Sequence, residues 1–409
     1  MNQILRYLWE MLPARRRARM RAWWNPPTYP RVLQVEQTFK CNLKCVMCIH
    51  GYGDPEDRPD FSYEQFTALI DQFHGPDAAP GFDRLEAVEL QGIGEPLLHK
   101  DTVRMVKYAR ERGIFTFFIS NMTALTEKKA RELVEAGHGY IIASVDSIDP
   151  EIFQDIRRGV NFNVLERVLR NMEILQRVKQ EMGSELPELH VNSILMKRTL
   201  TQAPELVETL RNLGVRKIMF CDLIATGISP DMRFSDGSLC RDQSLMTLPP
   251  EELKRIMEEL RQLDTPECRV VVPEDWGGIS NRRRGDAVPT CEDLWEKPFV
   301  TSEGIVTPCC FLPDKSQMPM GNLSEQTFEE IWFGERYEGL RRAHIEGRAP
   351  ADCQQCPQFV NTIELRSWLR GGAGPPNPPR NAPFSGDRRF KTGMRTQLQG
   401  IPHPPGQNT

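Results

Sequence analysis

No run of 18 apolar residues occurs in the 409-residue chain, which excludes a membrane-crossing helix. Net charge is small. The 52 basic and 56 acidic side chains leave −4, so no global positive field is available to draw nucleic acid. No internal repeat at a solenoid period is visible. Met1 to Met11 is apolar but short, carries Glu10 and lacks a small-residue cleavage site. No secretory signal is expected, and the expected compartment is the cytosol. Thiols stay reduced there, so eleven cysteines read as metal ligands before they read as disulfides. The length suggests two domains, or one large barrel with an appendage.

Residues 1–30 form a distinct segment. Ile4, Leu5, Leu8, Met11 and Leu12 recur at helical spacing, followed by Arg15, Arg16, Arg17, Arg19 and Arg21, then Trp23 and Trp24. Such a stripe can dock weakly on an anionic membrane surface, making the protein peripheral. The plainer reading, a packed helix with a solvated basic face, is preferred. From 31 to 225, strand-like stretches at 32–37, 86–91, 114–119, 140–146, 189–196 and 216–221 alternate with helix candidates. The helices are expected at 62–73, 101–112, 126–136, 163–181 and 202–213, with Ser62 and Thr126 placed to cap two of them. This alternation predicts an α/β fold with a parallel sheet and right-handed crossovers. Six strands suit an open barrel or a doubly wound sheet, and periodicity does not choose. Residues 226–285 read as an irregular insert or linker with one helix near 249–263. Residues 371–409 hold 15 Gly plus Pro among 39, which predicts a disordered tail.

Cys41, Cys45 and Cys48 lie within eight residues, directly after the first expected strand. In a parallel barrel that is the C-terminal end of a strand, where reaction centres sit. Three thiolates cannot close a four-iron cluster, so one iron stays open for a small molecule. The plain alternatives are zinc completed by His50, or three unrelated thiols. The motif resembles the C-x3-C-x2-C signature of the radical S-adenosylmethionine enzymes, over roughly residues 31–225. The resemblance implies a partial (β/α)6 TIM-like barrel, a [4Fe–4S] cluster on Cys41, Cys45 and Cys48, and S-adenosylmethionine on the open iron. It also implies reductive cleavage to a 5′-deoxyadenosyl radical that takes hydrogen from a C–H bond. Gln91 to His99 resembles the second-strand Gly-Gly-Glu-Pro element, implying cofactor contacts from Gly94 and Glu95. Ser120-Asn121-Met122 resembles a Thr-Asn-Gly strand end, Ala143 to Ser147 a Ser-Leu-Asp-Gly element, and Arg157-Arg158-Gly159 a downstream Arg-Gly. These imply contacts from Asn121, Ser144, Asp146 and one of the two arginines, with Arg158 taken, and from Asn192 on the fifth strand. Met47 stands where the family often places an aromatic near the adenine. Each strand-end Ser, Asn or Asp taken singly reads as turn chemistry; the set at successive strand ends does not.

Cys291, Cys309, Cys310, Cys353 and Cys356 form a second set. Twelve residues separate Cys291 from Gly304, and four more separate Gly304 from Cys309. Cys353 and Cys356 are spaced so that one turn presents two ligands. Four thiols close a metal site, with zinc the plain alternative, and Cys310 is left over. Residues 286–360 resemble the C-terminal SPASM/twitch extensions of the same family. That implies one auxiliary [4Fe–4S] cluster on Cys291, Cys309, Cys353 and Cys356, with Cys310 able to replace Cys309. Cys221 and Asp222 close the sixth strand, where a thiol could donate a hydrogen atom and a carboxylate could take a proton. An inert buried cysteine is the plainer reading of Cys221. The expectation is an oxidoreductase that dehydrogenates a small molecule such as a lipid or sugar. The auxiliary cluster accepts one electron, and a reductant such as flavodoxin or ferredoxin supplies the first. The rivals are epimerisation through Cys221, peptide maturation and a non-enzymatic iron-sulfur or zinc protein. Thirty residues ahead of the barrel leave no room for a leader-binding domain, which counts against maturation.

Overall fold

Five helices separate six parallel strands whose order in space follows their order in the chain. The computed structural model describes residues 30–52, 57–74, 85–223, 231–272, 291, 293–310, 318–345 and 348–354. The strands are β1 (Val32–Val35), β2 (Lys44–Cys45), β3 (Ala87–Glu89), β4 (Phe115–Ser120), β5 (Tyr140–Ser144) and β6 (Arg157–Arg158). They continue with β7 (Glu188–Leu195), β8 (Lys217–Asp222), β9 (Arg269–Val271), β10 (Phe299–Val300), β11 (Ile305–Thr307) and β12 (Gly321–Asn322). The large sheet runs β12-β11-β10-β1-β3-β4-β5-β7-β8-β9, and β2 pairs with β6 alone. A doubly wound sheet reverses its order at a switch point. The run from β1 to β8 does not, which decides for the partial barrel.

Helices Tyr63–His74, Thr102–Glu111, Glu127–Glu135, Val164–Glu181 and Ala203–Asn212 cover the outer face of the sheet. The expected caps form. Thr126 Oγ1 accepts from the Lys129 amide at 3.2 Å, and Ser62 and Gln65 cap each other's amides at 3.1 and 2.8 Å. Strand alternation sends Leu33, Val35, Val88, Ile141 and Val191 outward into one core with Phe66, Leu69, Met105, Leu133 and Leu206. Each such side chain contributes about 1.5–3 kcal/mol by its burial. The intervening residues Ala87, Phe115, Phe117, Tyr140 and Ile142 form a separate cluster on the inner face.

Within 226–285, the described residues 231–272 hold the expected helix, Pro250–Arg261, and one element not expected: β9 adds a parallel strand beside β8. Three residues are too few to show alternation in sequence. The cysteine-rich C-terminal part joins the sheet: β10 pairs in parallel with β1 and carries the β11–β12 strands on its far side. No helix among the described residues is long and apolar enough to cross a membrane. The basic segment of residues 1–29, Cys356 and the 371–409 tail lie outside the described residues.

Candidate active site and cluster loop

The cysteine loop is pinned from behind by a miniature sheet. Lys44 and Cys45 pair antiparallel with Arg158 and Arg157, and the Val46 amide donates to the Ile156 carbonyl at 3.0 Å. Gly159 makes this approach possible. Its φ is +105°, and a Cβ there would meet the Lys44 amide nitrogen at 2.9 Å. The Cys48 amide donates to the Cys45 carbonyl at 3.0 Å, which turns the chain between the second and third thiols.

Side chains then aim N–H groups at the sulfurs. Asn121 Nδ2 stands 3.8 Å from Cys41 Sγ and also donates to Asn42 Oδ1 at 3.1 Å. Arg157 Nη1 stands 3.8 Å from Cys45 Sγ. Burial pushes the Cys41 and Cys45 thiols up, to about 12 and about 11, and Arg157 opposes the rise at Cys45. Such thiols stay protonated at neutral pH until a metal displaces the proton.

Several expected cofactor contacts turn out to hold the frame. Asp146 is fully buried and accepts from Arg157 Nε and Nη2, both at 2.8 Å, and from the Ile194 amide at 2.9 Å. Its carboxylate therefore orients Arg157. Arg158 does not face the loop's sulfurs; its guanidinium pairs with Asp155. The arginine beside the cluster loop is Arg157. The Glu95 carboxylate is buried and accepts from Ser120 Oγ at 2.7 Å, the Asn121 amide at 2.7 Å and the Leu97 amide at 3.0 Å. It ties the second strand end to the third. Burial raises its affinity for a proton, and those hydrogen bonds oppose the rise.

Ser144 and Asn192 are opposite one another across the β5–β7 pair. They share the inner-face alternation with Ile142 and Tyr140. One strand further, Cys221 stands opposite Ile194 on that same face. Burial, with Asp146 and Asp222 nearby, pushes its thiol up to about 12. Asp222 follows Cys221 on the opposite face of β8. It pairs in register with Leu195, a residue of the helix-side core, and accepts from Ser244 Oγ at 3.4 Å.

Met47 joins a small apolar cluster of Val46, Ile156, Met196, Leu223, Phe234 and Cys240. Phe234 and Cys240 come from a hairpin within the insert, closed by the Phe234 amide on Ser238 O and the Cys240 amide on Met232 O, each at 2.9 Å. Ser235 Oγ, at 2.8 Å, and Arg198 Nη1, at 3.2 Å, both reach Asp155 and hold the hairpin over the barrel mouth. Cys240, unexplained in the sequence, is core of this cluster.

In the second cysteine set, Cys309 and Cys310 follow β11. The Tyr337 hydroxyl donates to the Thr307 carbonyl at 3.0 Å, and Thr307 Oγ1 donates to the Cys309 carbonyl at 3.1 Å. Arg341 is buried between Trp332 and Tyr337, with its charge centre 4.2 and 4.6 Å from the two ring centroids. Lys297, just before β10, puts Nζ 2.7 Å from Glu89 Oε2 on the inner face of the barrel. Glu89 and the Cys310 sulfur both strengthen its hold on its proton.

All ten cysteines among the described residues are free thiols. No three His, Cys, Asp or Glu among them converge as ligands of a single metal ion. His50 packs on the Phe39 ring at 4.9 Å. Three thiols spread along a loop, with N–H donors aimed at two of them, fit a multi-iron cluster. Asn192 Oδ1 and Gln91 Oε1 are buried acceptors with no hydrogen-bond partner among the described residues, as expected of a cradle for a polar cofactor.

Comparison with known proteins agrees. Residues 35–186 match the Radical SAM superfamily model, and residues 291–357 match SPASM, an iron-sulfur cluster-binding domain. The chain is 26% identical to the tungsten-containing aldehyde ferredoxin oxidoreductase cofactor-modifying protein of Pyrococcus furiosus, over 83% of this chain and 92% of that protein. It is 25% identical to the AdoMet-dependent heme synthase of Methanosarcina barkeri, over 80% and 88%. In fold it resembles SuiB of Streptococcus suis, with a TM-score of 0.60 at 15% identity over 86% of this chain and 76% of that one. The chain belongs to the radical S-adenosylmethionine superfamily, with a SPASM domain, and its cofactors are a [4Fe–4S] cluster, S-adenosylmethionine and auxiliary iron-sulfur.

Proposed function

We propose that this enzyme oxidises a small organic molecule by two electrons, starting with removal of a hydrogen atom from a C–H bond. In this reading Cys41, Cys45 and Cys48 hold the first cluster, and Cys291, Cys309, Cys353 and Cys356 hold the auxiliary one. Gly94, Ser144 and Asn192 face the cofactor. Residues 31–225 are the radical barrel, 226–285 the insert, and 286–360 the auxiliary domain. One observation carries the oxidative outcome: Lys297, just before the β10–β11 pair that leads into Cys309, reaches Glu89 Oε2 on the barrel's inner face at 2.7 Å. An electron acceptor held there borders the chamber.

The bound cluster and cofactor supply a 5′-deoxyadenosyl radical. Held by Cys41, Cys45 and Cys48, they would take one hydrogen atom from the substrate carbon; Cys291, Cys309, Cys353 and Cys356 would hold the group that accepts the second electron, and the proton would leave to water. The names of the two curated relatives, one cofactor-modifying and one a heme synthase, support a cofactor or its precursor as the substrate class. The test is anaerobic reconstitution and dithionite reduction. About eight irons per chain, four for each cluster, with 5′-deoxyadenosine formed alongside oxidised product, is expected. Zinc in place of iron overturns the reading.

A second reading rests on Cys221, an inner-face thiol that keeps its proton. A retained S–H can return a hydrogen atom to a substrate radical, giving epimerisation. Solvent deuterium in recovered substrate supports it, and a C221A variant that still exchanges deuterium rejects it.

A further inference from the structure

Glu36, directly after β1, is fully buried. Its Oε1 accepts from the Ile93 amide at 2.7 Å, and its Oε2 lies 3.3 Å from the Ser302 amide. Gly92 packs directly on this side chain, since a Cβ there would meet Glu36 Oε1 at 2.2 Å. The backbone follows the same path, with the Glu36 amide donating to the Val300 carbonyl at 2.9 Å. Ile93 belongs to the Gly92–Glu95 segment, whose Glu95 amide donates to Lys40 O at 2.9 Å beside Cys41. Ser302 belongs to the turn between β10 and β11 in the auxiliary domain. Arg58 reinforces the junction, stacking over Phe39 at 4.3 Å and reaching Glu303 Oε2 at 3.8 Å.

We propose that Glu36 is a positioning residue that couples the two domains: one carboxylate sets the Gly92–Glu95 segment against S-adenosylmethionine and locks the auxiliary hairpin to it. The inference rests on the reading that this segment faces the cofactor. A buried carboxylate held by amides from two segments is satisfied only when both are in place. Ordering one segment therefore orders the other. Glu36 acts through its neighbours and takes no part in the chemistry.

The test uses the reconstituted full chain and hydrogen exchange with and without S-adenosylmethionine, alongside cofactor affinity by equilibrium dialysis. Ser302 is the second residue of a turn closed by the Gly304 amide on Thr301 O at 2.9 Å. Proline suits that position, so S302P deletes the amide donor while keeping the turn. In the native protein, S-adenosylmethionine slows exchange at both 91–98 and 299–306. In S302P it slows exchange only at 91–98. In E36Q, which keeps one acceptor oxygen, affinity falls about tenfold with the loss of one charge-assisted hydrogen bond. Absence of protection at 91–98 in the native protein rejects the reading of the segment itself. Protection at 91–98 without protection at 299–306, or S302P behaving as the native protein at both, overturns the coupling.

Discussion

Arg157 grips Asp146 with two nitrogens at 2.8 Å and turns the third toward Cys45 Sγ at 3.8 Å. The ion pair is buried on both sides, so removing one partner strands the other. R157A and D146A should each cost about 3–5 kcal/mol. The double variant should lose less than the sum, because neither charge is then left alone. Urea denaturation of the four proteins measures the coupling. Additive losses would show that the pair does not interact as described.

Gly159 is required by two independent conditions, a φ of +105° and the approach of Lys44. G159A should push the cysteine loop away from β6. About half of the iron should be lost after reconstitution, since one of two four-iron clusters fails, while the auxiliary cluster persists. Iron analysis with electron paramagnetic resonance separates the two. Full iron content in G159A would contradict this account.

Met122 has a φ of +61° and is the one non-glycine residue among those described with positive φ. It is also fully buried. Truncation removes its packing in either variant, but glycine relieves the backbone while alanine does not. M122G should therefore be more stable than M122A by about 1 kcal/mol, the reverse of the usual order. Thermal midpoints of the two variants decide.

His138 is buried against the Phe118 ring at 4.4 Å, with Nδ1 2.9 Å from Thr116 Oγ1. Burial and Arg110 push its pKa down to about 3. The unfolded chain binds a proton below about 6.5 that the folded chain refuses until about 3. Stability from this group is complete above 6.5 and falls as pH drops through that window, by up to about 1.4 kcal/mol per pH unit. H138N should lose less stability than the native protein between pH 7.5 and 5. Identical slopes for the two would rule His138 out as the source.

The barrel was legible because each strand is flanked by amphipathic helices, and six expected strands fall within a residue or two of those observed. The cysteine loop was legible because spacing encodes ligands. Arg157 was not, since choosing it over Arg158 depends on which member of β6 turns toward Cys45, and two adjacent arginines look alike in sequence. The face that Asp222 takes was hidden likewise: adjacency to Cys221 in a strand means opposite faces. Glu36 carried no signal, because its partners Ile93 and Ser302 are 57 and 266 positions away. The Phe234 hairpin was hidden in a stretch without periodicity, held by Asp155 rather than by a pattern of its own.

The pairing of β10 with β1 joins residues near 34 to residues near 299. A ribosome adding 5–20 residues per second leaves β1 without that neighbour for roughly 13–53 s. During that interval an unpaired strand edge flanks the nascent cysteine loop, and the Ser302 amide that Glu36 awaits has not been made. The first strand made is among the last to gain its second neighbour, so a truncated or stalled chain carries its iron-binding loop beside an open edge.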